Sequence, residues 1–275
     1  MQAFKQMNNP IINHMRYLIV LLALMPLCAF AQKEEKSKGK LLWAEEFNYT
    51  GLPDPSKWQY EEGFIRNNES QYYTKERLKN TQVENGVLTI TAHKEEFEGG
   101  HYTSASINTK GKYEFTRGRI EVKAKLPEGR GTWPAIWTLG TNIDKVDWPA
   151  CGEIDIMEFV GYEPDKIFAN VHTKDYNHAI GKGRGGSITI QKPFADFHVY
   201  AVEWYDDRMD FYFDDIKYYT CPKKGEGIGE WPFDAPQYLL INLAIGGAWG
   251  GTQGIDDSIF PVKYQIDYVR IYSLE

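Results

Sequence analysis

The sequence predicts an all-β fold, a β-sandwich of the jelly-roll kind with one concave face. Many short segments alternate apolar and polar residues, which is the pattern of half-buried strands. Turn residues separate these segments at short intervals, and helical periodicity is almost absent. Such a succession of short strands closes into a sandwich or jelly roll, whose curved sheet provides a groove for a polymer.

The strand predictions run along most of the chain. In order they are residues 86–92, 103–108, 113–125, 132–139, 152–161, 166–173, 187–190, 197–205, 209–213, 216–219, 238–245 and 264–272. Asp206-Asp207 and Asp214-Asp215 separate consecutive strands and are typical of tight turns. Within 113–125, Ile120 and Val122 are expected to face the core and Glu121 the outside.

The first 31 residues are predicted to be a secretory signal peptide. They contain a positively charged leader, an apolar segment too short for a membrane span, and a small-x-small cleavage site that ends at Ala31. Residues 32–40 are charged and contain Gly and Ser, which predicts a flexible tether. We therefore expect a secreted, periplasmic or cell-surface protein. Cys28 raises the alternative of a lipid anchor, which Leu27 directly before it fits poorly.

Residues 41–275 are predicted to form one domain, because no linker, repeat or low-complexity segment interrupts them. Cleavage after Ala31 leaves 275 − 31 = 244 residues, which is ample for a hydrophobic core. The formal net charge is −7 and no basic run occurs, which argues against nucleic acid and anionic membranes as partners. We expect a monomer. A disulfide between Cys151 and Cys221 is one alternative. The simpler interpretation of Cys151 is a small buried hydrophobe.

The segment 152–161 carries three carboxylates, Glu153, Asp155 and Glu158, among apolar residues. Strand side chains alternate, so Glu153 and Asp155 share one face. Strict alternation would place Glu158 in the core, where an unpaired carboxylate is costly. We therefore predict a β-bulge at Ile156–Met157, which returns Glu158 to the face of the other two acids.

Three acids on one face of a strand suit glycoside chemistry. A retaining glycosidase needs two carboxyl groups about 5–5.5 Å apart, one as nucleophile and one as acid/base. On a curved sheet Glu153 and Glu158 lean toward each other. Asp155 between them is placed to hydrogen-bond the nucleophile and to raise the pKa of the acid. A solvated acidic face or a calcium site is the alternative for the acids alone.

The acid strand and its surroundings resemble glycoside hydrolase family 16. The resemblance rests on Glu-x-Asp-x-x-Glu after Trp-Pro-Ala-Cys-Gly (148–152), on Trp-Pro-Ala-x-Trp (133–137) and on the final strand (264–272). The bulged spacing matches the laminarinase-like β-glucanases of that family. The resemblance implies a concanavalin A-like jelly roll of the lectin/glucanase type, with a concave substrate cleft. It also implies Glu153 as nucleophile, Asp155 as its helper and Glu158 as acid/base.

The resemblance further implies a set of substrate-binding residues along the cleft. These are Asn67, Trp133, Trp137, Trp148, His172 and Trp249. The residues themselves leave simpler alternatives: Trp133 and Trp137 also suit core packing, Asn67 a surface loop and His172 a structural role. Trp249 lies in a glycine-rich loop, whose glycines allow a close approach of backbone to ligand.

A structural calcium ion is the cofactor that the resemblance implies, with none required for catalysis. The matching ligands are Glu46, the carbonyl of Gly86, and Asp267, on the convex side. Plain surface acids explain the same residues. The chain has no Cys/His spacing typical of zinc.

The sequence therefore predicts a secreted endo-β-1,3(4)-glucanase that acts with retention of configuration. β-1,3-Glucan (laminarin) is the favoured substrate, and mixed-linkage β-1,3/1,4-glucan follows closely. A non-catalytic polysaccharide-binding module, a transglycosylase and a galactanase are the alternatives. The paired acids argue against the first, since binding alone does not need them, and sulfated galactans would favour a basic groove.

Overall fold

The structure is a computed structural model that describes residues 39–225 and 227–274. The predicted signal peptide (1–31), Cys28 and most of the predicted tether (32–40) lie outside the described residues. Within the described part of the chain, no helix is long and apolar enough to cross a membrane.

Strands make up most of the described chain. They are β1 (Leu41–Glu45), β2 (Gln59–Glu61), β3 (Gln71–Tyr73), β4 (Thr81–Glu84), β5 (Val87–Phe97), β6 (Gly100–Ser104), β7 (Ser106–Asn108), β8 (Gly118–Lys125), β9 (Thr132–Gly140), β10 (Glu153–Glu158), β11 (Lys166–His172), β12 (Arg184–Thr189), β13 (His198–Trp204), β14 (Arg208–Phe213), β15 (Ile216–Pro222), β16 (Gln237–Ile245) and β17 (Val262–Tyr272). The helices of the described residues are short: one α-helical turn, α1 (Ile143–Val146), and two 3₁₀ turns (His178–Ile180 and Asp257–Ile259).

The described strands form two sheets, as the predicted sandwich requires. The ten-stranded sheet has the order β15-β14-β13-β8-β17-β5-β6-β3, with β1 also paired to β17 and β4 to β5. The seven-stranded sheet has the order β12-β11-β10-β9-β16-β7-β2. A single core cluster contains fully buried residues of both sheets, among them Ile120 and Val122 from β8 and Ile154 and Ile156 from β10. The predicted inward orientation of Ile120 and Val122 is confirmed. Glu121, which was expected outside, is instead fully buried on the other face of β8, where Arg119 Nε donates to its Oε2 at 3.0 Å.

The strand that carries the acids, β10, lies between β9 and β11 near the middle of the seven-stranded sheet. One face of this sheet is buried against the core. Its other face carries Glu153, Asp155 and Glu158 and is called the cleft below; it crosses the strands from β12 toward β2.

Two strand predictions need correction. The first part of 113–125 is not a strand: β8 begins at Gly118, because φ is 64° at Arg117 and 111° at Gly118, which does not fit an extended chain. The first four strands, β1 to β4, have no counterpart among the predicted strands. β4 forms a hairpin with β5 through Asn85-Gly86, whose φ values of 54° and 78° are those of a tight hairpin turn.

Cys151 and Cys221 are fully buried and unpaired. Cys151 packs with apolar residues of β9 and β16 beneath the cleft. Burial raises its pKa to about 11, so the thiol stays neutral. This confirms the interpretation of Cys151 as a small buried hydrophobe.

Candidate active site

The predicted bulge is present in β10. The residues of β9 opposite Asp155 and Met157 are consecutive, although Ile156 lies between those two on β10. Ile156 and Met157 are both fully buried in the core. The extra residue returns Glu158 to the face of Glu153 and Asp155, where its carboxylate has polar partners.

Two side chains hold the carboxylate of Glu158. Trp133 Nε1 donates to Oε1 at 3.2 Å, and Asn170 Nδ2 donates to Oε2 at 2.7 Å. Glu158 is only 8% exposed, so burial raises its pKa, while the hydrogen bond from Asn170, the charge of His172 and the hydrogen bond from Trp133 oppose that rise. The net raised pKa favours a carboxyl group that can deliver a proton.

Glu153 and Asp155 form a second acidic unit on the same face. Trp148 Nε1 donates to Glu153 Oε2 at 2.7 Å, and His172 Nε2 lies 3.2 Å from Asp155 Oδ2 and 3.8 Å from Glu153 Oε1. Burial, and then the charge of Asp155, raises the pKa of Glu153 well above its usual range. Burial and the charge of Glu158 do the same for Asp155. The interaction between the two carboxyl groups raises the pKa of Glu153 further and partly offsets the rise at Asp155, so the two titrate as a pair.

Aromatic rings enclose the Glu153 side of the site. Trp148 is 36% exposed and packs against His178, with ring centroids 5.3 Å apart. His172 meets the same histidine edge-to-face at 5.0 Å and is itself 6% exposed. The structure therefore brings Trp148 and His172 to the acids, as the resemblance implied.

Trp137 forms part of the cleft floor. It is 7% exposed, donates through Nε1 to Asn242 Oδ1 at 2.7 Å, and lies under the guanidinium of Arg66 at 4.9 Å from the ring centroid. Arg66 in turn pairs with Glu61 of β2. Trp137 is thus a mostly buried residue beneath the open face, whereas Trp133 reaches Glu158 directly.

The glycine-rich loop after β16 packs against the loop that carries Asn67. The carbonyl of Asn67 accepts from the backbone N–H of Ala248 at 2.8 Å. A Cβ at Gly247 would lie 3.3 Å from the ring of Trp133 and 3.2 Å from the Asn67 carbonyl, and its φ is 79°. Glycine at position 247 therefore lets the glycine-rich loop pack against Trp133 and the Asn67 loop. This is in addition to any close approach of its backbone to a ligand. The side chain of Asn67 donates to Glu69 Oε1 at 3.2 Å.

Trp249 packs against Trp133, the tryptophan that donates to Glu158. Its ring meets Trp133 edge-to-face at 5.6 Å and Phe168 at 5.0 Å. The tryptophan that donates to Glu158 is therefore braced by a second tryptophan from a different loop.

The predicted calcium ligands have other partners. Glu46 accepts from Arg270 Nε at 2.7 Å and from Arg270 Nη2 at 2.9 Å, and Asp267 Oδ2 lies 2.7 Å from Lys123 Nζ. Gly86 occupies the β4–β5 turn. A calcium ion bound by these carboxylates would have to compete with both cations. Calcium binding at these residues stays a prediction.

Sequence reasoning missed three residues of the site: Asn170, Arg66 and His178. Asn170 lies two residues before His172 on β11, so strand alternation alone places it on the same face. Arg66 directly precedes Asn67 and shares its loop. No sequence signal identifies His178, whose contact with Trp148 is made by a loop.

The family model for glycosyl hydrolases family 16 matches residues 68–270. The chain belongs to glycosyl hydrolase family 16. A β-glucanase from Rhodothermus marinus is 46% identical to this family 16 hydrolase in an alignment 270 positions long that covers 94% of each chain. The predicted family is confirmed.

Solved structures agree with this family 16 hydrolase in fold. The laminarinase from Rhodothermus marinus matches with a TM-score of 0.83 and 48% identity, covering 86% of this chain and 98% of that one. SCLam, a non-specific endo-β-1,3(4)-glucanase, matches with a TM-score of 0.82 and 43% identity, covering 87% and 92%. The predicted jelly-roll fold class is confirmed.

Proposed function

We propose that this family 16 hydrolase is a retaining, endo-acting enzyme that cleaves β-1,3-glucan, mixed-linkage β-1,3/1,4-glucan, or both. The observation that carries the proposal is the bulged strand β10, which presents Glu153 and Glu158 on one open face with different partners. The names of the similar β-glucanase and endo-β-1,3(4)-glucanase support the substrate class.

In the first step Glu158 acts as the general acid. It gives its proton to the glycosidic oxygen while a carboxylate oxygen of Glu153 bonds to the anomeric carbon and the bond to the leaving sugar breaks. Asp155 supports this step when it is protonated and Glu153 is ionised, which the raised pKa of Asp155 favours. It then donates to Glu153, and Trp148 donates a second hydrogen bond, so the nucleophile stays ionised and oriented.

In the second step Glu158 acts as the general base. Its carboxylate takes a proton from water, and the water oxygen displaces Glu153 from the anomeric carbon. Two inversions at this carbon restore the β configuration. Asn170 and Trp133 donate to the two oxygens of Glu158 throughout, which keeps the group aimed at the reacting oxygen.

The test is the Glu153→Gln variant assayed for reducing-sugar release from laminarin and lichenan. We expect no hydrolysis, with the fold intact by circular dichroism, and a β-anomer as the first product of the wild type by NMR. Glu163→Gln is the matched control, because Glu163 is a partly exposed acid paired with Lys166. Wild-type rates in Glu153→Gln, or an α-anomer as first product, would overturn the proposal. A binding module would release no sugar, and a transglycosylase would form longer products.

We also propose that the mature protein is secreted or held at the cell surface, and is a monomer. The predicted signal peptide (1–31) supports this location, and a long glucan is met outside the cell. Mass spectrometry of the mature N-terminus distinguishes cleavage before Gln32 from lipidation at Cys28. Sedimentation velocity tests the oligomeric state.

A further inference from the structure

Three aromatic rings form a ridge at the loop that follows β2, with one ring exposed and two partly buried. Phe64 is 53% exposed, and Ile65 next to it is 42% exposed. The ring of Phe64 meets that of Tyr72 edge-to-face at 5.5 Å, and Tyr72 meets Phe97 in the same way at 5.3 Å. Phe64, Tyr72 and Phe97 are called the aromatic ridge below. The proposed reaction uses none of them.

The aromatic ridge is built into the backbone beneath it. Gly63 forms two hydrogen bonds of 3.0 Å with β3, which fixes the start of the loop. A Cβ at Gly100 would lie 2.8 Å from Cζ of Phe64, so the glycine leaves room for this ring to rest on the β5–β6 turn. Arg77 stacks on Phe97 at 4.9 Å from the ring centroid. Rings ordered before binding lose less entropy when a ligand arrives.

The aromatic ridge continues the cleft at its β2 end. β2 is the edge strand of the seven-stranded sheet, so a chain that crosses the sheet toward β2 next meets the loop after it. In that loop Arg66 stacks over Trp137 on the cleft floor, and Asn67 bonds the loop of Trp249. Phe64 lies two residues before Arg66 in this loop, which places the Phe64 end of the ridge near the β2 end of the cleft.

Charges around the aromatic ridge favour a neutral ligand. Desolvation and the negative charges of Glu62 and Glu98 raise the pKa of Tyr72, which shows that both acids lie near its hydroxyl. The nearby cation Arg77 is neutralised by Glu95 at 2.7 Å. A sulfated or carboxylated polysaccharide would be repelled here, whereas a neutral glucan would not.

We propose that the aromatic ridge is a second binding surface for β-glucan, which holds the part of a long chain that leaves the cleft past β2. The inference rests on the proposed function. Aromatic faces suit the apolar faces of sugar rings, and a second contact on one chain raises its effective concentration at the cleft. Only substrates long enough to reach both surfaces gain from it.

The test is the double variant Phe64→Ala/Tyr72→Ala assayed on long laminarin and on short laminari-oligosaccharides. The loss of two ring contacts predicts a roughly 5- to 150-fold higher half-saturating concentration for the long chain. The kcat on long chains and all constants on short ones should be unchanged. Phe64→Tyr should behave as wild type. Leu42→Ala/Ile216→Ala is the matched control, because both side chains are about half exposed on other strands.

Unchanged half-saturation for the long chain in the double variant would overturn the proposal. The proposal would also be overturned if the wild type were a dimer, the double variant were a monomer, and the kinetic constants were the same. The ridge would then be a contact between two copies of the chain. Co-sedimentation with insoluble β-1,3-glucan, in the Glu153→Gln background, tests the ridge apart from catalysis. If wild type hydrolysed neither substrate, the proposed function would fail, while this binding test would still report on the ridge.

Discussion

Asn170 offers a way to separate orientation of the acid from proton transfer. Its side chain donates to Glu158 at 2.7 Å and so stabilises the ionised carboxylate. In Asn170→Ala the pKa of Glu158 should rise further, because burial then acts with less opposition. A general acid is active while protonated, so the alkaline limb of the kcat profile should move to higher pH. A series of kcat measurements across that limb checks the shift.

Asn242→Ala is the control for this shift. Asn242 accepts from Trp137 on the same sheet and makes no hydrogen bond to Glu158. Its substitution should leave the alkaline limb in place even if substrate binding weakens. Movement of the limb to lower pH in Asn170→Ala would show that Asn170 does not stabilise the carboxylate.

Glu158 itself should be needed only where the leaving group requires a proton. In Glu158→Gln we expect kcat on laminarin to fall by about 10²–10⁴. With an aryl β-glucoside whose leaving group is acidic, formation of the covalent intermediate should be nearly normal and its hydrolysis slow. Stopped-flow release of the aryl group should then show a burst. Glu153→Gln should show neither burst nor turnover, and a burst in that variant would reverse the two assignments.

At the scale of the element, the bulge of β10 decides which acids meet. Deletion of Met157 removes the extra residue, and strand alternation then still places Glu158 on the face of Glu153. We expect a folded variant with reduced but measurable hydrolysis. Its stability should fall by about 2–5 kcal/mol, because a fully buried Met side chain is lost from the core. Laminarin assays and chemical denaturation measure both effects.

An insertion serves as the opposite test of the same bulge. One Ala added between Met157 and Glu158 turns the carboxyl group toward the core, so activity should drop to the level of Glu158→Gln. Equal activities in the deletion and the insertion would show that parity along β10 does not set the site.

Two of the predicted calcium ligands, Glu46 and Asp267, lie near the contact between the first and last strands, β1 and β17. If an ion binds at Glu46, Gly86 and Asp267, chelation should lower the Tm, added calcium should restore it, and Asp267→Asn should abolish the response. The ion pairs with Arg270 and Lys123 compete with such an ion. A Tm that chelation leaves unchanged would end the prediction.

The bulge was predictable from the sequence because strand alternation conflicts with the cost of burying an unpaired carboxylate. Alternation sends Glu158 inward, and an unpaired carboxylate in the core is too costly, so an extra residue must intervene. The hairpin at Asn85-Gly86 also carries a local signal, although the strand before it has only four residues. β2 and β3, with three residues each, pair with strands distant in the chain, and no pattern of their own marks them.

The site was predictable where side chains share a strand and unpredictable where loops meet. Glu153, Asp155 and Glu158 follow from one strand. His178, by contrast, reaches Trp148 from a 3₁₀ turn whose position depends on the fold of the loop after β11. The partner of Glu46 likewise depends on the register of β1 against β17, which places Arg270 beside it.

At the scale of the whole molecule, the active site lowers stability at neutral pH. Burial raises the native-state pKa of Glu153, Asp155 and Glu158, while the unfolded chain keeps ordinary values. At a pH between the unfolded-state pKa and the native-state pKa, the folded protein binds more protons than the unfolded one. The free energy of unfolding is therefore highest below the unfolded-state pKa and falls as pH rises toward the native pKa.

Removing one of these charges should stabilise the protein at the expense of activity. Glu153→Gln keeps an acceptor for Trp148 and abolishes the ionisation, so we expect its Tm to exceed that of wild type at about pH 8 and to match it near about pH 4. Each kcal/mol regained corresponds to roughly 2–4 °C for a chain of this size. Calorimetry at both pH values measures the difference, with Glu163→Gln as the control that should shift neither. A Glu153→Gln variant less stable than wild type at the higher pH would mean that the ionised acid is held favourably in the fold. The raised pKa values on which the proposed division of roles depends would then be wrong.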